Sequence, residues 1–216
     1  NVLRRLLVVD DDGSSNNVGA LYNETLDVTQ ALTGFNCSYE TLTIAAGNSF
    51  PPQVSMENYS AIIWVSGNAV SSLTNAVDIP KLTSYLDAYG GRVWLQGKNS
   101  TRQTNNSFMA THFGVASTVL DQALPAAVMG VTDDELGHGI HYGAVAGTCD
   151  AIIPTVSATG YLHQNSTVGR YIGVRVRSTT PSYSTVLNSF SMTKLANGGW
   201  ELPSASQAKQ ELTFLI

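Results

Sequence analysis

Three consecutive carboxylates stand at the end of an apolar segment near the start of the chain. Asp10, Asp11 and Asp12 follow the run Arg5-Leu-Leu-Val-Val and precede Gly13. Carboxylate oxygens are the ligands that Ca²⁺ and Mg²⁺ prefer, and the carbonyls of a glycine turn add further oxygens. Aspartates also cap helices and close Asx-turns, so the same residues are compatible with a structural turn. The pattern therefore leaves two alternatives, a divalent-cation site at Asp10, Asp11 and Asp12 or a turn without a metal.

A second polar segment, Asp133 to His141, carries three acids and two histidines within nine residues. Such a set could include zinc ligands. A closed zinc site needs four ligands in fixed geometry, however, and this glycine-rich segment has no helical periodicity that would hold them. The segment is interpreted as a polar loop.

Two predicted strand-to-helix turns are the places where a nucleophile would stand in an α/β enzyme. Ser66 and Gly67 follow the apolar run that ends at Val65, but no G-x-S-x-G frame surrounds them. The turn after Leu95 contains Lys98 and no thiol, and nothing indicates the desolvation that would activate this lysine. These turns and the end of a late strand still define a candidate pocket at the carboxyl edge of the sheet, where such folds bind ligands. Its residues are Ser66, Gly67, Asn68, Gly97, Lys98, Asn99 and Ser191.

Strands and helices alternate through the first half of the chain. Short apolar runs predict buried parallel strands, and apolar residues at helical spacing predict the helices between them. Alternation of this kind is typical of right-handed βαβ units with helices on both faces of a sheet. In order, the predicted elements are the strand Arg5 to Asp10, the helix Ala20 to Thr33, the strands Tyr39 to Ile44 and Tyr59 to Val65, the helix Ile79 to Tyr89, the strand Arg92 to Leu95 and the helix Ser100 to Gly114.

The pattern changes after this helix. Val115 to Thr180 is rich in glycine, threonine and short β-type runs, which favours an antiparallel excursion. Ser184 to Phe190 is predicted as a return strand and Ser204 to Ile216 as a closing helix. We therefore predict one domain spanning residues 1–216, of α/β class, with a doubly wound, mostly parallel sheet in a three-layer αβα sandwich.

Composition excludes some partners and suggests a location. The formal net charge is −5 with only 11 lysines and arginines, so the chain offers no basic surface to nucleic acid. No apolar run approaches the ~20 residues that a membrane helix needs, so we expect no membrane insertion. The chain begins at Asn1 without a methionine, which suggests a mature or excised segment.

Potential modification sites point to the same location. Six N-x-[ST] sequons and an even pair of cysteines, Cys37 and Cys149, suit an extracellular or cell-surface protein. The sequons alone do not establish glycosylation. The cysteine pair alone does not establish a disulfide, because the two residues could equally be buried thiols. The sequons begin at Asn23, Asn36, Asn58, Asn99, Asn105 and Asn165.

The order of these elements resembles the class I glutamine amidotransferase-like superfamily, a flavodoxin-like α/β fold, and especially its divergent copies in large secreted bacterial proteins. The matching pieces span the chain. They are Leu7-Val-Val-Asp-Asp-Asp-Gly13, Tyr59 to Gly67, Leu82 to Gly97 and Val186 to Phe190.

The resemblance implies a catalytic cysteine at the elbow after the strand Arg92 to Leu95 and a histidine and glutamate after the last strand. Here Gln96, Gly97 and Lys98 occupy the elbow, and Ser191 follows the last strand. Without a thiolate and its base, glutamine hydrolysis through a thioester has no route. We therefore expect a non-catalytic accessory domain that binds a small ligand or packs against neighbouring domains. We expect no cofactor other than Ca²⁺ or Mg²⁺ at the aspartate loop. The alternatives are a hydrolase built on Ser66, Lys98, Asp11 and His141 and a structural subunit of an extracellular assembly.

Overall fold

A computed structural model of the protein describes residues 4–11, 25, 28–29, 32, 37–45, 47–70, 72–138, 140–144, 147–163, 169–191 and 195–196, with the backbone alone at 141–144 and 195–196. Within these residues lie twelve strands, a 3₁₀ turn and two α-helices whose bounds are described, and Thr25, Val28, Thr29 and Leu32 are also helical. The helices are α1 (Asp78–Tyr89) and α2 (Asn106–Phe113), and the 3₁₀ turn is Met56–Asn58. The strands are β1 (Arg4–Asp10), β2 (Cys37–Thr43), β3 (Ala61–Gly67), β4 (Arg92–Gly97), β5 (Val115–Ala123), β6 (Ala127–Gly130), β7 (His141–Ala144), β8 (Thr148–Pro154), β9 (Thr159–His163), β10 (Tyr171–Thr179), β11 (Ser182–Asn188) and β12 (Leu195–Ala196).

All described strands belong to one mixed sheet. Its main path runs β12-β7-β6-β9-β10-β11-β4-β3-β1-β2, and β8 joins β10 at its side and carries β5. The five strands β2, β1, β3, β4 and β11 are parallel. The remaining pairings are antiparallel. The predicted α/β class and the antiparallel excursion are confirmed, and the sheet as a whole is mixed because the excursion supplies half of its twelve described strands.

Strand β1, which lies between β2 and β3, is buried on both faces. Leu6 and Val8 pack into one hydrophobic core, and Leu7 and Val9 pack into the other. Each of the four side chains is at most 2% exposed, as two-sided burial predicts for a parallel strand. Parallel sheets with two covered faces place their sites at the strand ends, so a functional site is expected at the carboxyl edge of the parallel strands.

Different packing partners cover the two faces of the parallel strands. One core contains residues of α1 and α2, including Leu82 and Phe113. The other contains Val28 and Leu32, which are helical, together with residues of the antiparallel strands. The three-layer αβα arrangement stays a prediction, since most of the predicted helix Ala20 to Thr33 and all of the helix Ser204 to Ile216 lie outside the described residues.

The helix predicted from Ser100 to Gly114 is shorter than expected. It begins at Asn106 because the preceding polar side chains make tertiary hydrogen bonds instead of continuing a helix. Ser100 Oγ donates to the Asn188 carbonyl at 2.5 Å, and Gln103 Oε1 accepts from the Leu73 amide at 3.0 Å. Asn105 then caps the helix, its side chain accepting from the Phe108 amide.

Candidate functional site

The carboxyl ends of β3 and β4 form the elbow where a nucleophile would stand. Gly97 ends β4 with φ +148°, a conformation that favours glycine. A Cβ atom at Gly97 would lie 2.5 Å from Ser66 Oγ and 2.6 Å from the Gly67 carbonyl oxygen. Because real Cβ contacts do not approach this closely, the two strand ends leave no room for any side chain at position 97. The elbow is closed by its own backbone.

Ser66, the candidate serine nucleophile, is buried in this elbow. Its side chain is fully shielded from solvent, and its hydroxyl donates to the Gln96 carbonyl at 3.0 Å. A serine acts as a nucleophile when a base accepts its proton, whereas here a backbone carbonyl does. The histidines whose side chains are described make other contacts: His112 with Asp87, His138 with the Thr132 carbonyl, and His163 with the Tyr171 ring.

A hydrogen bond joins the turn after β3 to the turn after β4. Asn99 Nδ2 donates to the Asn68 carbonyl at 2.6 Å. Asn99 is buried, with 7% of its surface exposed. Its Oδ1 is also buried and has no hydrogen-bond partner among the described residues. Ser66, Gly67, Asn68, Gly97 and Asn99, which the sequence assigns to one pocket, are therefore neighbours in the structure.

Beneath the elbow lies a buried network of polar side chains that connects β4, β11 and β9. Gln96 Nε2 donates to the Phe190 carbonyl at 2.7 Å, and Gln96 Oε1 accepts from Asn188 Nδ2 at 2.9 Å. The Tyr161 hydroxyl donates in turn to Asn188 Oδ1. Gln96, Asn188 and Tyr161 are completely buried. The Gln96 amide, at the strand end before the elbow, thus has both its nitrogen and its oxygen engaged in structural hydrogen bonds.

Ser191, the last residue of the predicted pocket, directly follows Phe190. The Phe190 carbonyl is the acceptor for Gln96, so Ser191 lies at the same edge of the sheet as the elbow. It is partly exposed and takes part in interactions of its own.

Lys98, which the sequence places in the same pocket, lies near a cluster of charges on the antiparallel excursion. Its Nζ is 3.9 Å from Asp121 Oδ1, and Arg102 Nη2 donates to the same oxygen at 2.7 Å. Arg102 also makes a two-point contact with Asp150, through Nε at 2.9 Å and Nη2 at 2.7 Å. The two cations and two carboxylates balance one another in charge.

Asp150 is the buried centre of this cluster. Burial by itself would raise its pKa, but hydrogen bonds from Arg102, from the Asp121 amide and from the Thr101 hydroxyl outweigh burial and lower the pKa. The contact with Asp150 correspondingly raises the pKa of Arg102. Asp150 is therefore held ionised by fixed donors, which suits a structural anchor and not a proton-transferring group.

The structure describes two of the three aspartates in the predicted cation site. Asp11 Oδ2 accepts from the Trp64 indole nitrogen at 3.0 Å, and Asp11 is 6% exposed. Asp10 is partly buried at the end of β1. Asp12 lies outside the described residues, and among the described ones no cluster of three histidine, cysteine or acidic side chains is placed to hold a metal ion. A Ca²⁺ or Mg²⁺ site at this loop stays a prediction.

The acid- and histidine-rich segment forms a loop closed by Asp134. One carboxylate oxygen accepts from the Leu136 and Gly137 amides at 2.9 and 3.0 Å, and the other accepts from Arg175. The side chain of His141 lies outside the described residues. Asp134 has the role of an Asx-type turn residue and ion-pair partner, which agrees with the interpretation as a polar loop.

Both cysteines are free, and neither lies at the elbow. Cys37 begins β2, and Cys149 lies on β8, completely buried. Burial raises the pKa of Cys149 to about 12, so its thiol stays protonated at neutral pH. Neither thiol supplies the nucleophile that the amidotransferase elbow lacks.

Sequence reasoning missed a cleft between α2 and β5. It has a volume of about 490 Å³ and is lined by residues of the first turns of α2 and by residues 115–118 of β5, with Thr101 beside them. The sequence predicts a helix and a strand here, but the cleft lies between the two elements, and a residue pattern does not show how they pack against each other. This volume lies within the range of about 300 to 1,000 Å³ typical of ligand pockets.

No protein-family model matches the sequence, and no curated protein matches it significantly. Solved structures do match. The mmIFT52 N-terminal domain superposes with a TM-score of 0.61 at 13% identity, covering 98% of this chain and 96% of that one. A ThuA-like protein from Parabacteroides merdae gives 0.58 at 7% identity, covering 98% and 91%. The chain shares their fold.

The same fold also occurs as part of a longer protein. A beta-galactosidase from Bacillus circulans sp. alkalophilus gives a TM-score of 0.62 at 12% identity. The match covers 99% of this chain but only 30% of that enzyme. Identities this low establish the shared fold alone, and the amidotransferase-like assignment stays a prediction.

Proposed function

We propose that this chain is a non-catalytic domain of the amidotransferase-like fold, arranged as a three-layer αβα sandwich, within a larger exported or cell-surface protein. Its role is to pack against neighbouring domains or to bind a ligand. The observation that carries the proposal is the closed elbow, where backbone atoms of Gly67 and the hydroxyl of Ser66 fill the space in which a nucleophile at position 97 would stand.

The groups around the elbow support this role. A nucleophile must be reachable by substrate and paired with a base, but Ser66 is buried and donates to a backbone carbonyl. The Gln96 amide is held by Phe190 and Asn188, and Lys98 lies near Asp121. Such satisfied buried networks rigidify a sheet. The elbow therefore fits a structural joint between β3, β4 and β11.

The longer relative supports the idea of a domain within a larger protein. In the Bacillus circulans enzyme, a region similar to the whole of this chain makes up less than a third of the polypeptide. A fold used in that way meets other domains over part of its surface, and domain interfaces of this kind bury about 600 to 1,500 Å².

The test is a direct assay for two reactions that a nucleophile at the elbow would catalyse. Ammonia release from glutamine and hydrolysis of p-nitrophenyl acetate are measured for the wild type, for Ser66→Ala and for the double variant Cys37→Ser with Cys149→Ser. We expect the rate of each reaction with each of the three proteins to equal the uncatalysed rate in buffer alone. Turnover by the wild type that disappears in Ser66→Ala, or in the cysteine variant, would show a working nucleophile and overturn the proposal.

A further inference from the structure

Three of the six sequons have their asparagine among the described residues, and the structure separates them by the state of the acceptor side chain. Asn99 is buried, and its Nδ2 donates to the Asn68 carbonyl. Asn58 is exposed, and Asn105 is partly exposed at the position before α2. An N-linked glycan is a bulky surface group that is attached to the side-chain nitrogen of asparagine. The structure therefore leaves Asn58 and Asn105 available as acceptors.

The side chain of Asn105 is held by its oxygen and not by its nitrogen. Its Oδ1 accepts from the Phe108 amide at 2.9 Å, which caps α2. Among the described residues, no group accepts a hydrogen bond from its Nδ2. A glycan replaces one hydrogen of this nitrogen and leaves the oxygen an acceptor. Asn105 can therefore carry a glycan and cap the helix at the same time.

The sequon of Asn105 continues directly into the cleft between α2 and β5. Its second and third residues, Asn106 and Ser107, are exposed and line the cleft. The acceptor is thus the chain neighbour of a wall residue, and a sugar attached to it begins at the rim of the cleft. This covalent connection identifies an occupant for the cleft that the residue types of the lining cannot identify.

The walls of the cleft match the mixed polarity of a sugar. Ser107, Ser117 and Thr118 carry hydroxyls, which can both donate to and accept from sugar hydroxyls. Met109 and Val115 are buried apolar residues of the lining, suited to the C–H groups of a sugar ring and to an acetyl methyl. The volume of about 490 Å³ leaves room for the first sugars of a glycan.

We propose that Asn105 is an N-glycosylation site and that the first sugars of its glycan lie in the cleft between α2 and β5. The donor is a diphosphate-linked oligosaccharide, supplied with its transferase by the export pathway. A bond forms between Asn105 Nδ2 and the anomeric carbon, the bond from that carbon to the diphosphate oxygen breaks, and a base of the transferase takes one proton from Nδ2. The inference rests on the exported location in the proposed function and goes beyond it by assigning a modification.

Glycopeptide mass spectrometry tests the occupancy of Asn105. The full chain is secreted from mammalian cells that make only oligomannose glycans. We expect a glycan on Asn105 in most molecules of the wild type and of Ser107→Thr, which keeps the sequon, and none in Ser107→Ala. Ser60→Ala, which removes the sequon of Asn58, is the matched control and should leave Asn105 occupied. No residue of the Asn58 sequon lines the cleft.

Hydrogen exchange tests whether the glycan lies in the cleft. A sugar held against β5 shields its backbone, so amides 115–118 should exchange at least threefold more slowly in the secreted wild type than in secreted Ser107→Ala. An endoglycosidase that leaves a single N-acetylglucosamine on Asn105 should preserve this difference. Secreted Ser60→Ala should exchange like the wild type at these amides.

Two further samples separate the glycan from the substitution. The wild type and Ser107→Ala, both made without glycans in the bacterial cytoplasm, should exchange equally at amides 115–118. Asn106→Pro is a second variant without the sequon in case Ser107→Ala does not fold, which thermal unfolding by circular dichroism checks. Proline at this position blocks glycosylation, and the first position of a helix accepts it.

Three outcomes would overturn the inference. They are an unoccupied Asn105 in the secreted wild type, equal exchange at amides 115–118 in the secreted wild type and Ser107→Ala, and loss of the protection when the glycan is trimmed to one sugar. The hydrolysis assays on the same preparation keep the two proposals apart. Turnover would overturn the non-catalytic role and leave the glycan result intact, and an unoccupied Asn105 would leave the non-catalytic role intact.

Discussion

Replacing Gly97 by alanine tests the closed elbow directly. The new Cβ would lie 2.5 Å from Ser66 Oγ and 2.6 and 2.7 Å from backbone atoms of Gly67. Two of these three contacts are with backbone, so a side-chain rotation at Ser66 cannot relieve them. The unfavourable φ costs about 1 to 3 kcal/mol. Overpacking adds about 1 to 3 kcal/mol, so we expect Gly97→Ala to lower the free energy of unfolding by about 2 to 6 kcal/mol.

Urea titration monitored by circular dichroism measures this loss, and Gly47→Ala is the matched control. Gly47 has φ +78°, and no atom lies within 4 Å of the position that a Cβ would take there. Its substitution therefore isolates the backbone cost, about 1 to 2 kcal/mol. Ser66→Ala added to Gly97→Ala should recover only part of the loss, since the Gly67 backbone remains. Equal losses in Gly97→Ala and Gly47→Ala would show that the elbow has room for a side chain and would refute the reasoning.

Three further predictions concern the core, the charge cluster and the sequons. Leu6→Ala and Leu7→Ala, which face different cores, should each lower the free energy of unfolding in urea by about 2 to 5 kcal/mol, and a negligible loss at either position would contradict a sheet buried on both faces. Asp150 has a lowered pKa, so its stabilisation is complete above about pH 4, the ordinary pKa of aspartate, and is lost as the pH falls through its folded-state value. The wild type should therefore lose more stability on acidification than Asp150→Asn, and parallel pH profiles would argue against this. In a host that attaches N-linked glycans, Asn58, which is exposed, should be the acceptor in preference to Asn99, which is buried and whose Nδ2 donates to the Asn68 carbonyl. Glycopeptide mass spectrometry showing the reverse occupancy would contradict the structure.

Local patterns were sufficient for the parallel half of the sheet. The apolar runs before Asp10 and Ser66 and the run Arg92 to Leu95 became β1, β3 and β4, since a strand buried on both faces has to be apolar throughout. The helix predicted from Ile79 became α1, and it ends at Tyr89 before Gly90 as predicted. These elements depend on residues close in sequence, which is why the sequence alone indicates them.

The contacts that define the candidate site depend on residues far apart in the chain. Gln96 bonds with Phe190, and Arg102 bonds with Asp150. Periodicity does not reveal such partners, because it reports which face of an element is buried and not which element lies opposite. The same limit explains the short α2, since Ser100 and Gln103 suit a helix locally but hydrogen-bond to Asn188 and Leu73. That Ser66, Gly67 and Gly97 are neighbours was nevertheless predictable, because the carboxyl ends of adjacent parallel strands must meet, while the pocket itself stays a prediction.

The position of β11 in the sheet has a consequence for the chain as it leaves the ribosome. β4 lies between β3 and β11, and the pairing of Arg92 with Ser184 joins residues separated by a large part of the sequence. Until β11 has been synthesised, one edge of β4 is bare, and Val93, Trp94 and Leu95 lack the neighbour that covers them in the finished sheet. Such intermediates aggregate readily, and distant strand pairing slows folding. We therefore expect the yield of native protein in cell-free synthesis to depend on chaperones. These would shield the growing chain until β11, which ends at Asn188, has left the ribosome and can pair with β4.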